Sequence, residues 1–195
     1  PVTAQTEGLQ PSRHLSQAVH ESWGEEEGFP QSAVRAIAQT SDGYMWFGTQ
    51  GGLVSFNGRT FKTFDRSNSE AFSGSHGIRS LLEVGSELWV GTMGSGLLQL
   101  TPTGLQKVAL SDNLDEATVS ALASHPDGSV WAGTFGAGVV VLSPSGQVLR
   151  TITEASGLSD GYVTAVYIAK DGSAWIGTKR GLVREPALIT IRRFR

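Results

Sequence analysis

The sequence repeats itself with a period of about 43 residues. Four segments share a tryptophan that is followed two positions later by Gly-Thr, and similar residues surround each of them. The tryptophans are 43, 42 and 44 residues apart: Trp46, Trp89, Trp131 and Trp175. A fixed period of this length is typical of solenoids and propellers, so the repeat limits the possible folds more than any other feature.

Each repeat is built from short alternating apolar runs. One run precedes the tryptophan, as in VRAIAQ from Val34, and a glycine-containing turn and a second run follow it, as in GLVSF from Gly52. A further run, such as TFKTF from Thr60, ends the repeat. Alternation with a period of two predicts strands, and four short strands per unit are typical of a propeller blade. We therefore predict an all-β fold: a β-propeller segment of four blades, each of four antiparallel strands.

The propeller segment is predicted at 14–195, after an N-terminal linker or mature N-terminus at 1–13. The four repeats are placed approximately at 32–65, 76–110, 117–152 and 161–195. The run HLSQAVHESW at 14–23 is predicted to form an extra outer strand; in propellers such a strand often completes the last blade, because closure leaves no strand edge exposed, and the sequence leaves open which blade this one completes. The run LITIRRF at 188–194 is the alternative source of an outer strand for the fourth blade.

Composition excludes several functions. The chain has no cysteine, which rules out disulfides, thiolate nucleophiles and cysteine metal sites. A net charge of −3 with dispersed basic residues disfavours nucleic-acid binding, which needs a concentrated basic face. No run approaches the roughly 20 apolar residues that a membrane helix needs, so we predict no direct membrane insertion by this segment.

The repeated tryptophans and glycines are predicted to be structural. The tryptophans are interpreted as apolar wedges between blades, with stacking on sugars or aromatic ligands as the alternative. The glycines of the same element are predicted to let the backbones of neighbouring blades approach: Gly48, Gly91, Gly133 and Gly177. Asp-Gly pairs at 42–43, 127–128 and 171–172 predict hairpin turns, since a calcium site needs several converging oxygen ligands.

No catalytic, cofactor-binding or metal-binding residue is predicted. The four histidines accompany no G-x-S-x-G nucleophile motif: His14, His20, His76 and His125. The acidic run at 25–27 has no opposing acidic cluster, and no phosphate-binding glycine loop occurs. Recognition by loops on a rigid scaffold is therefore the predicted activity, and the candidate loops are 65–77, 111–118 and 154–162.

Two long segments resemble the two-component regulator propeller repeat. They are SWGEEEGFPQSAVRAIAQTSDGYMWFGTQGGLVSFNGRTFKTFD at 22–65 and GLSDGYVTAVYIAKDGSAWIGTKRGLV at 157–183, and the resemblance covers roughly 18–184. The second repeat departs from it, with Gly85-Ser86 and Glu87 where Asp-Gly is expected. The resemblance implies a periplasmic or otherwise extracytoplasmic sensor of a hybrid histidine kinase or diguanylate cyclase, with any kinase or cyclase activity in separate output domains.

Three functions follow in order of preference. The first is a non-catalytic sensor or ligand-recognition module of a bacterial signalling receptor, which binds a small molecule or glycan. The second is a structural or protein-interaction propeller that closes a ring from several chains, and the third is a propeller-fold lyase. Four blades with open ends would expose apolar faces, so a homodimer that forms an eight-blade ring is predicted. A closed four-blade monomer and a fragment of a longer receptor are the alternatives.

Overall fold

The computed structural model describes residues 20–30, 32–110 and 114–186. Within these ranges fifteen strands form four antiparallel sheets, in each of which the strands are adjacent in chain order. The predicted all-β propeller architecture is confirmed. The predicted outer strand at 188–194 and most of the one at 14–23 lie outside the described residues, and residues 20–23 form no strand.

The first two blades have four strands each. Blade 1 consists of β1 (Val34–Gln39), β2 (Met45–Thr49), β3 (Gly52–Phe56) and β4 (Phe61–Phe64). Blade 2 consists of β5 (Ile78–Val84), β6 (Glu87–Thr92), β7 (Leu97–Thr101) and β8 (Gly104–Val108).

Blade 3 also has four strands, and blade 4 has three within the described residues. Blade 3 consists of β9 (Val119–Ser124), β10 (Val130–Thr134), β11 (Val139–Leu142) and β12 (Val148–Ile152). Blade 4 consists of β13 (Val163–Ile168), β14 (Ala174–Thr178) and β15 (Gly181–Glu185).

The first strand of each blade lies at the centre of the array. The inner strands pack side by side in order, β1 against β5, β5 against β9 and β9 against β13. Each tryptophan strand is therefore the second from the axis. This arrangement places four blades around a common axis, with the outer strands at the periphery.

The core lies between successive blades. We call the face of a blade that is turned to the next blade its trailing face, and the opposite one its leading face. Trp46 on the trailing face of blade 1 belongs to one apolar cluster with Leu88 and Val90 on the leading face of blade 2. Similar clusters join blade 2 to blade 3 and blade 3 to blade 4. Period-two alternation along the strands thus gives every internal blade two buried faces.

Glycine at the W-x-G-T position is required by close contact between blades. A Cβ atom on Gly48 would lie 2.7 Å from the Ile78 Cγ2 atom, and one on Gly133 would lie 2.6 Å from the Val163 Cγ1 atom. Neither glycine has a positive φ, so steric exclusion rather than backbone conformation selects glycine there.

The Asp-Gly pairs form tight turns between the first and second strands. In blade 1, the Asp42 carboxylate accepts hydrogen bonds from the Thr40 hydroxyl at 2.5 Å and from the Tyr44 N–H at 3.2 Å, and Gly43 has a φ of 90°. These two hydrogen bonds, the Thr40 one first, hold the pKa of Asp42 below its ordinary value. The aspartates therefore have a local structural role in closing the turns.

Candidate functional site

The two ends of the propeller differ in their connections. Because the strands alternate in direction, the Asp-Gly turns and the turns between third and fourth strands share one end, which we call the lower rim. The turns after W-x-G-T and the long segments that link successive blades share the other end, the upper rim. The predicted ligand-binding loops 65–77, 111–118 and 154–162 all belong to the upper rim, with 111–113 outside the described residues.

A row of side chains on the upper rim crosses three blades, with two aromatic rings in the middle and a cation at each end. The Arg79 guanidinium lies over the Phe135 ring, 5.1 Å from its centroid, and the Phe135 and Tyr162 rings are 5.4 Å apart. The Lys179 ammonium lies 3.6 Å from the centroid of the Tyr162 ring. We call these four residues the rim ladder. Arg79 belongs to blade 2, Phe135 to blade 3, and the other two to blade 4.

A β-bulge on the inner strand of blade 2 positions Arg79 at the upper rim, and the same bulge recurs on the inner strands of the other three blades. In the pairing of β5 with β6, Ile78 is opposite Thr92 and Ser80 is opposite Gly91, so Arg79 has no paired residue. A bulge turns a side chain away from the regular alternation and is frequent beside functional sites. Here it directs a long basic residue of an inner strand toward the turn of the next blade.

Backbone contacts fix the aromatic pair of the ladder. Phe135 and Tyr162 form an isolated antiparallel bridge between blades 3 and 4. The Phe135 N–H donates to the Thr118 carbonyl at 3.0 Å, and the Lys179 N–H donates to the Tyr162 carbonyl at 3.0 Å. The ladder is consequently anchored to strand ends rather than to free loop tips.

The two cations of the ladder lack carboxylate partners. Among the residues that the structure describes, no carboxylate lies within 4.0 Å of Arg79 or Lys179, whereas Arg150 pairs with Glu185 at 2.9 Å. The nearby carboxylates of the segment that links blades 3 and 4 accept hydrogen bonds from backbone N–H groups. Asp160 accepts from the Tyr162 N–H at 2.7 Å, and Glu154 from the Gly161 N–H at 2.9 Å. The rim ladder thus presents two cations beside aromatic rings, with N–H donors available to a ligand and with the Asp160 and Glu154 carboxylates hydrogen-bonded to the backbone nearby.

Sequence reasoning found only part of this site. Tyr162 lies in one of the predicted loops, but Arg79, Phe135 and Lys179 were missed. A signal for Phe135 and Lys179 was present in the residue directly after W-x-G-T, which differs in every repeat although a constant Gly-Thr pair precedes it: Gln50, Met93, Phe135 and Lys179. A position that varies beside a constant element indicates a site of specificity rather than of packing.

The repeated tryptophans lie at the blade interfaces. Three of them are 7%, 0% and 4% exposed, for Trp46, Trp89 and Trp131, while Trp175 on the last described blade is 38% exposed. The Trp46 Nε1–H donates to the Thr40 hydroxyl at 3.0 Å, and the Trp131 Nε1–H donates to the Ser129 hydroxyl at 3.2 Å. The three internal rings are therefore closed to a ligand.

The histidine with the clearest polar contacts lies on the lower rim. The His125 Nδ1 atom is 2.8 Å from the Asp127 carboxylate, and its Nε2 atom is 3.1 Å from the Gly172 carbonyl of blade 4. The cavity of about 340 Å³ around it also contains Arg150, which is paired with Glu185. These contacts connect blades 3 and 4. Within the described ranges, no three metal-ligating side chains lie close enough to hold one ion.

Blades around a common axis, with a varied upper rim, define a β-propeller repeat protein. Two of its segments, 28–51 and 157–180, match the two component regulator propeller family. The chain therefore carries two-component regulator propeller repeats, and the resemblance seen in the sequence is confirmed. No curated protein matches the sequence.

Solved structures show the same fold. The extracellular domain of what is described as a hybrid two-component system from B. thetaiotaomicron superposes with a TM-score of 0.72 at 20% identity, over 85% of this chain and 25% of that one. A catalytically inactive variant of virginiamycin B lyase from Staphylococcus aureus gives 0.59 at 13% identity, over 82% and 57%. The computationally designed Ika4 protein gives 0.60 at 20% identity, over 82% and 94%.

The chain is much shorter than the extracellular domain on which it superposes. It spans about a quarter of the two-component extracellular domain described above. At these identities the likeness concerns the propeller fold. No helix in the described part of the chain is long and apolar enough to cross a membrane.

Proposed function

We propose that this chain is a non-catalytic ligand-recognition module of an extracytoplasmic bacterial sensor. The family match supports a role in signal transduction, because two segments of the chain carry the two component regulator propeller repeat. The observation that carries the proposal is the rim ladder, which combines fixed aromatic rings and cations that have no carboxylate partner among the described residues.

The ligand is an acidic small molecule, such as a glycan fragment with carboxylate or sulfate groups. The Arg79 guanidinium lies over the Phe135 ring, 5.1 Å from its centroid, and its planar N–H groups suit a bidentate acceptor such as a carboxylate or sulfate. Lys179 supplies a second positive charge at the other end of the ladder. The Tyr162 side chain is 39% exposed between them and offers a hydroxyl for a sugar.

The position of the ladder suits a sensor. Its four residues come from blades 2, 3 and 4, so a ligand that contacts both cations connects three blades at their inner ends. A ligand shifts a conformational equilibrium only by its difference in affinity for the two states. Contacts to several blades provide such a difference whenever the blades move relative to one another.

Recognition is favoured over lyase chemistry. A lyase needs a general base beside the bound substrate; the Nδ1 atom of His76 on the upper rim is buried, with no hydrogen-bond partner among the described residues, and His125 lies on the lower rim. Its ring is already engaged by Asp127 and by the Gly172 carbonyl. The upper rim offers cations and aromatic rings, which bind acidic ligands, and so supports binding as the activity.

Calorimetric titration of the full chain tests the proposal. The probes are oligogalacturonates, chondroitin sulfate oligosaccharides and maltooligosaccharides of the same length. We expect an acidic probe to bind, the neutral one not to bind, and added salt to weaken binding, because exposed charges are screened. The substitutions Arg79→Gln and Lys179→Gln should each weaken binding about tenfold or more, as expected for loss of a charge-assisted hydrogen bond.

Arg150→Gln is the matched control. Arg150 also stacks on an aromatic ring, with its guanidinium 5.1 Å from the Trp131 centroid, but it lies on an outer strand and is paired with Glu185. Its replacement should leave binding unchanged. Equal binding of neutral and acidic probes, no binding of any acidic probe, or an Arg79→Gln variant with unaltered affinity would contradict the proposed site.

A further inference from the structure

The first and last blades each present an apolar face that no other blade covers. The trailing face of blade 4 shows this most clearly at Leu182, which is 66% exposed. The corresponding residues beside the W-x-G-T glycine in the other blades, Leu53, Leu97 and Val139, are all 0% exposed because the next blade covers them. Leu182 therefore marks a blade interface with one side missing.

The leading face of blade 1 is the complementary half of such an interface, and no blade covers it. Val34 begins its inner strand and is 43% exposed, whereas the equivalent residues Ile78, Val119 and Val163 are 0% exposed. Ile37, the next residue of this strand on the same face, is 63% exposed. An apolar cavity of about 220 Å³ opens on this face, lined by Trp23, Phe29, Val34, Ile37, Phe47 and Phe61.

The two open faces match at the position where internal blades are most tightly joined. A Cβ atom on Gly48 or Gly133 would collide with the β-branched residue that begins the next inner strand. A Cβ atom on Gly177 would have its nearest neighbours, Thr164 and Ala165, within its own blade at 3.4 Å or more. The space that receives a β-branched side chain is thus open at Gly177, and the matching side chain, Val34, is exposed.

The segment before blade 1 is also shaped to lie against a preceding blade. A single 3-10 turn at Glu25–Glu27 ends at Gly28 with a φ of 86°, just as the turn at Glu154–Ser156 ends at Gly157 with a φ of 112°. Leu158, which follows the second turn, is 5% exposed and belongs to the cluster between blades 3 and 4. Phe29 holds the equivalent position before blade 1.

We propose that a second copy of this chain covers both faces, so that two chains close an eight-blade ring. The trailing face of blade 4 of each copy packs on the leading face of blade 1 of the other, with Val34 of the partner subunit against Gly177. One chain carries both halves of the interface in the register that it uses three times internally, so a second copy satisfies both ends at once. This inference is independent of the proposed ligand.

Symmetry and blade number support a closed pair. A head-to-tail contact either closes a ring or grows without limit, and two-fold closure is the smallest solution. Eight blades lie within the range of about four to eight that propellers adopt. Soluble proteins rarely leave large apolar patches and strand edges uncovered, which favours association over an open monomer.

Light scattering coupled to gel filtration tests the proposal on the full chain. At micromolar concentration we expect a single species of twice the 20.6 kDa mass of one chain. Ile37→Lys on the leading face and Leu182→Glu on the trailing face should each give monomers. Both side chains are exposed in the single chain, so these variants are expected to keep the wild-type circular dichroism spectrum. Leu149→Glu changes an outer-strand residue that is 59% exposed and should remain dimeric.

Mixing the two monomeric variants tests the head-to-tail geometry. One junction of the mixed pair joins two unaltered faces, and the other brings the new lysine near the new glutamate. Gly133 pairs with Val139, and a Cβ atom on Gly133 would lie 3.2 Å from the Val166 Cγ2 atom of the next blade. Val139 and Val166 are the repeat equivalents of Leu182 and Ile37, so the new glutamate and the new lysine face each other across the junction. The equimolar mixture should therefore recover the dimer mass.

Several outcomes would overturn the proposal. A wild-type monomer at micromolar concentration would mean that no second copy covers the faces. An Ile37→Lys variant that remains dimeric would show that the dimer does not use the leading face of blade 1. A species larger than a dimer would show that the ring does not close with two chains.

Discussion

Removal of the Trp131 side chain tests whether the repeated tryptophans hold the blades together. Trp131 is 4% exposed and belongs to the apolar cluster between blades 3 and 4 with Val139 and Ile176. Its Nε1–H donates to the Ser129 hydroxyl at 3.2 Å, and the Arg150 guanidinium lies 5.1 Å from its centroid. Trp131→Ala removes all of these contacts.

The expected loss follows from the buried area. A tryptophan at this depth buries about 150–250 Å², which at about 25 cal/mol per Å² is about 4–6 kcal/mol. Substitutions of buried aromatic residues by alanine cost about 3–5 kcal/mol, and we expect Trp131→Ala to fall in that range. Such a loss is a large part of the roughly 5–15 kcal/mol that stabilises a typical domain.

Urea unfolding followed by far-ultraviolet circular dichroism gives the free energy of unfolding. Leu149→Ala is the matched control in the same blade, because that side chain is 59% exposed and should change stability by no more than about 0.5 kcal/mol. A loss below about 1 kcal/mol for Trp131→Ala, with an unchanged denaturant slope, would refute the interpretation of the ring as an interblade wedge.

Three further predictions concern other parts of the repeat. Gly133→Ala should lower the free energy of unfolding by about 1–3 kcal/mol, since its Cβ atom would lie 2.6 Å from a methyl carbon of the next blade; urea titration measures this. Trp89→Phe should cost about 1 kcal/mol less than Trp131→Phe in the same titration, because the Trp89 Nε1–H is buried with no partner among the described residues. The pKa of Asp42 is lower in the folded chain than its ordinary value of 3.8, so its stabilising effect is complete above that pH and is lost as the pH falls through the folded value. Melting temperatures recorded from neutral pH to pH 3 should fall less steeply for Asp42→Asn than for the wild type.

The fold was predictable because its signals are local and repeated. Alternation along each run identified the strands, and the spacing of residues such as Trp46 and Trp131 identified the blades. The glycine that close contact between blades requires at Gly133 also recurs at the same position of every repeat. Each of these features recurs about every 43 residues, so the strand assignment in one repeat supports the assignment in the others.

The site was only partly predictable because its contacts join residues that are far apart in the chain. The contact of Arg79 with Phe135 depends on the fit between blades 2 and 3, which has no local sequence signature, and the bulge that positions Arg79 occurs in every blade and so does not distinguish this residue. The exposure of Leu182 could not be predicted from the repeat, because Leu182 occupies the same repeat position as Leu53 and differs only in having no blade beside it. Identical repeat positions thus have different environments.

Hydrogen exchange in the presence of a saturating acidic oligosaccharide tests most directly whether the upper rim recognises ligand. We predict slower exchange at 77–80, 135–138, 161–163 and 178–181, which surround the rim ladder. The Asp-Gly turns of the lower rim at 42–43, 127–128 and 171–172 should exchange at unchanged rates. Slower exchange confined to the lower rim, or no change on the upper rim at saturation, would contradict recognition by the rim ladder.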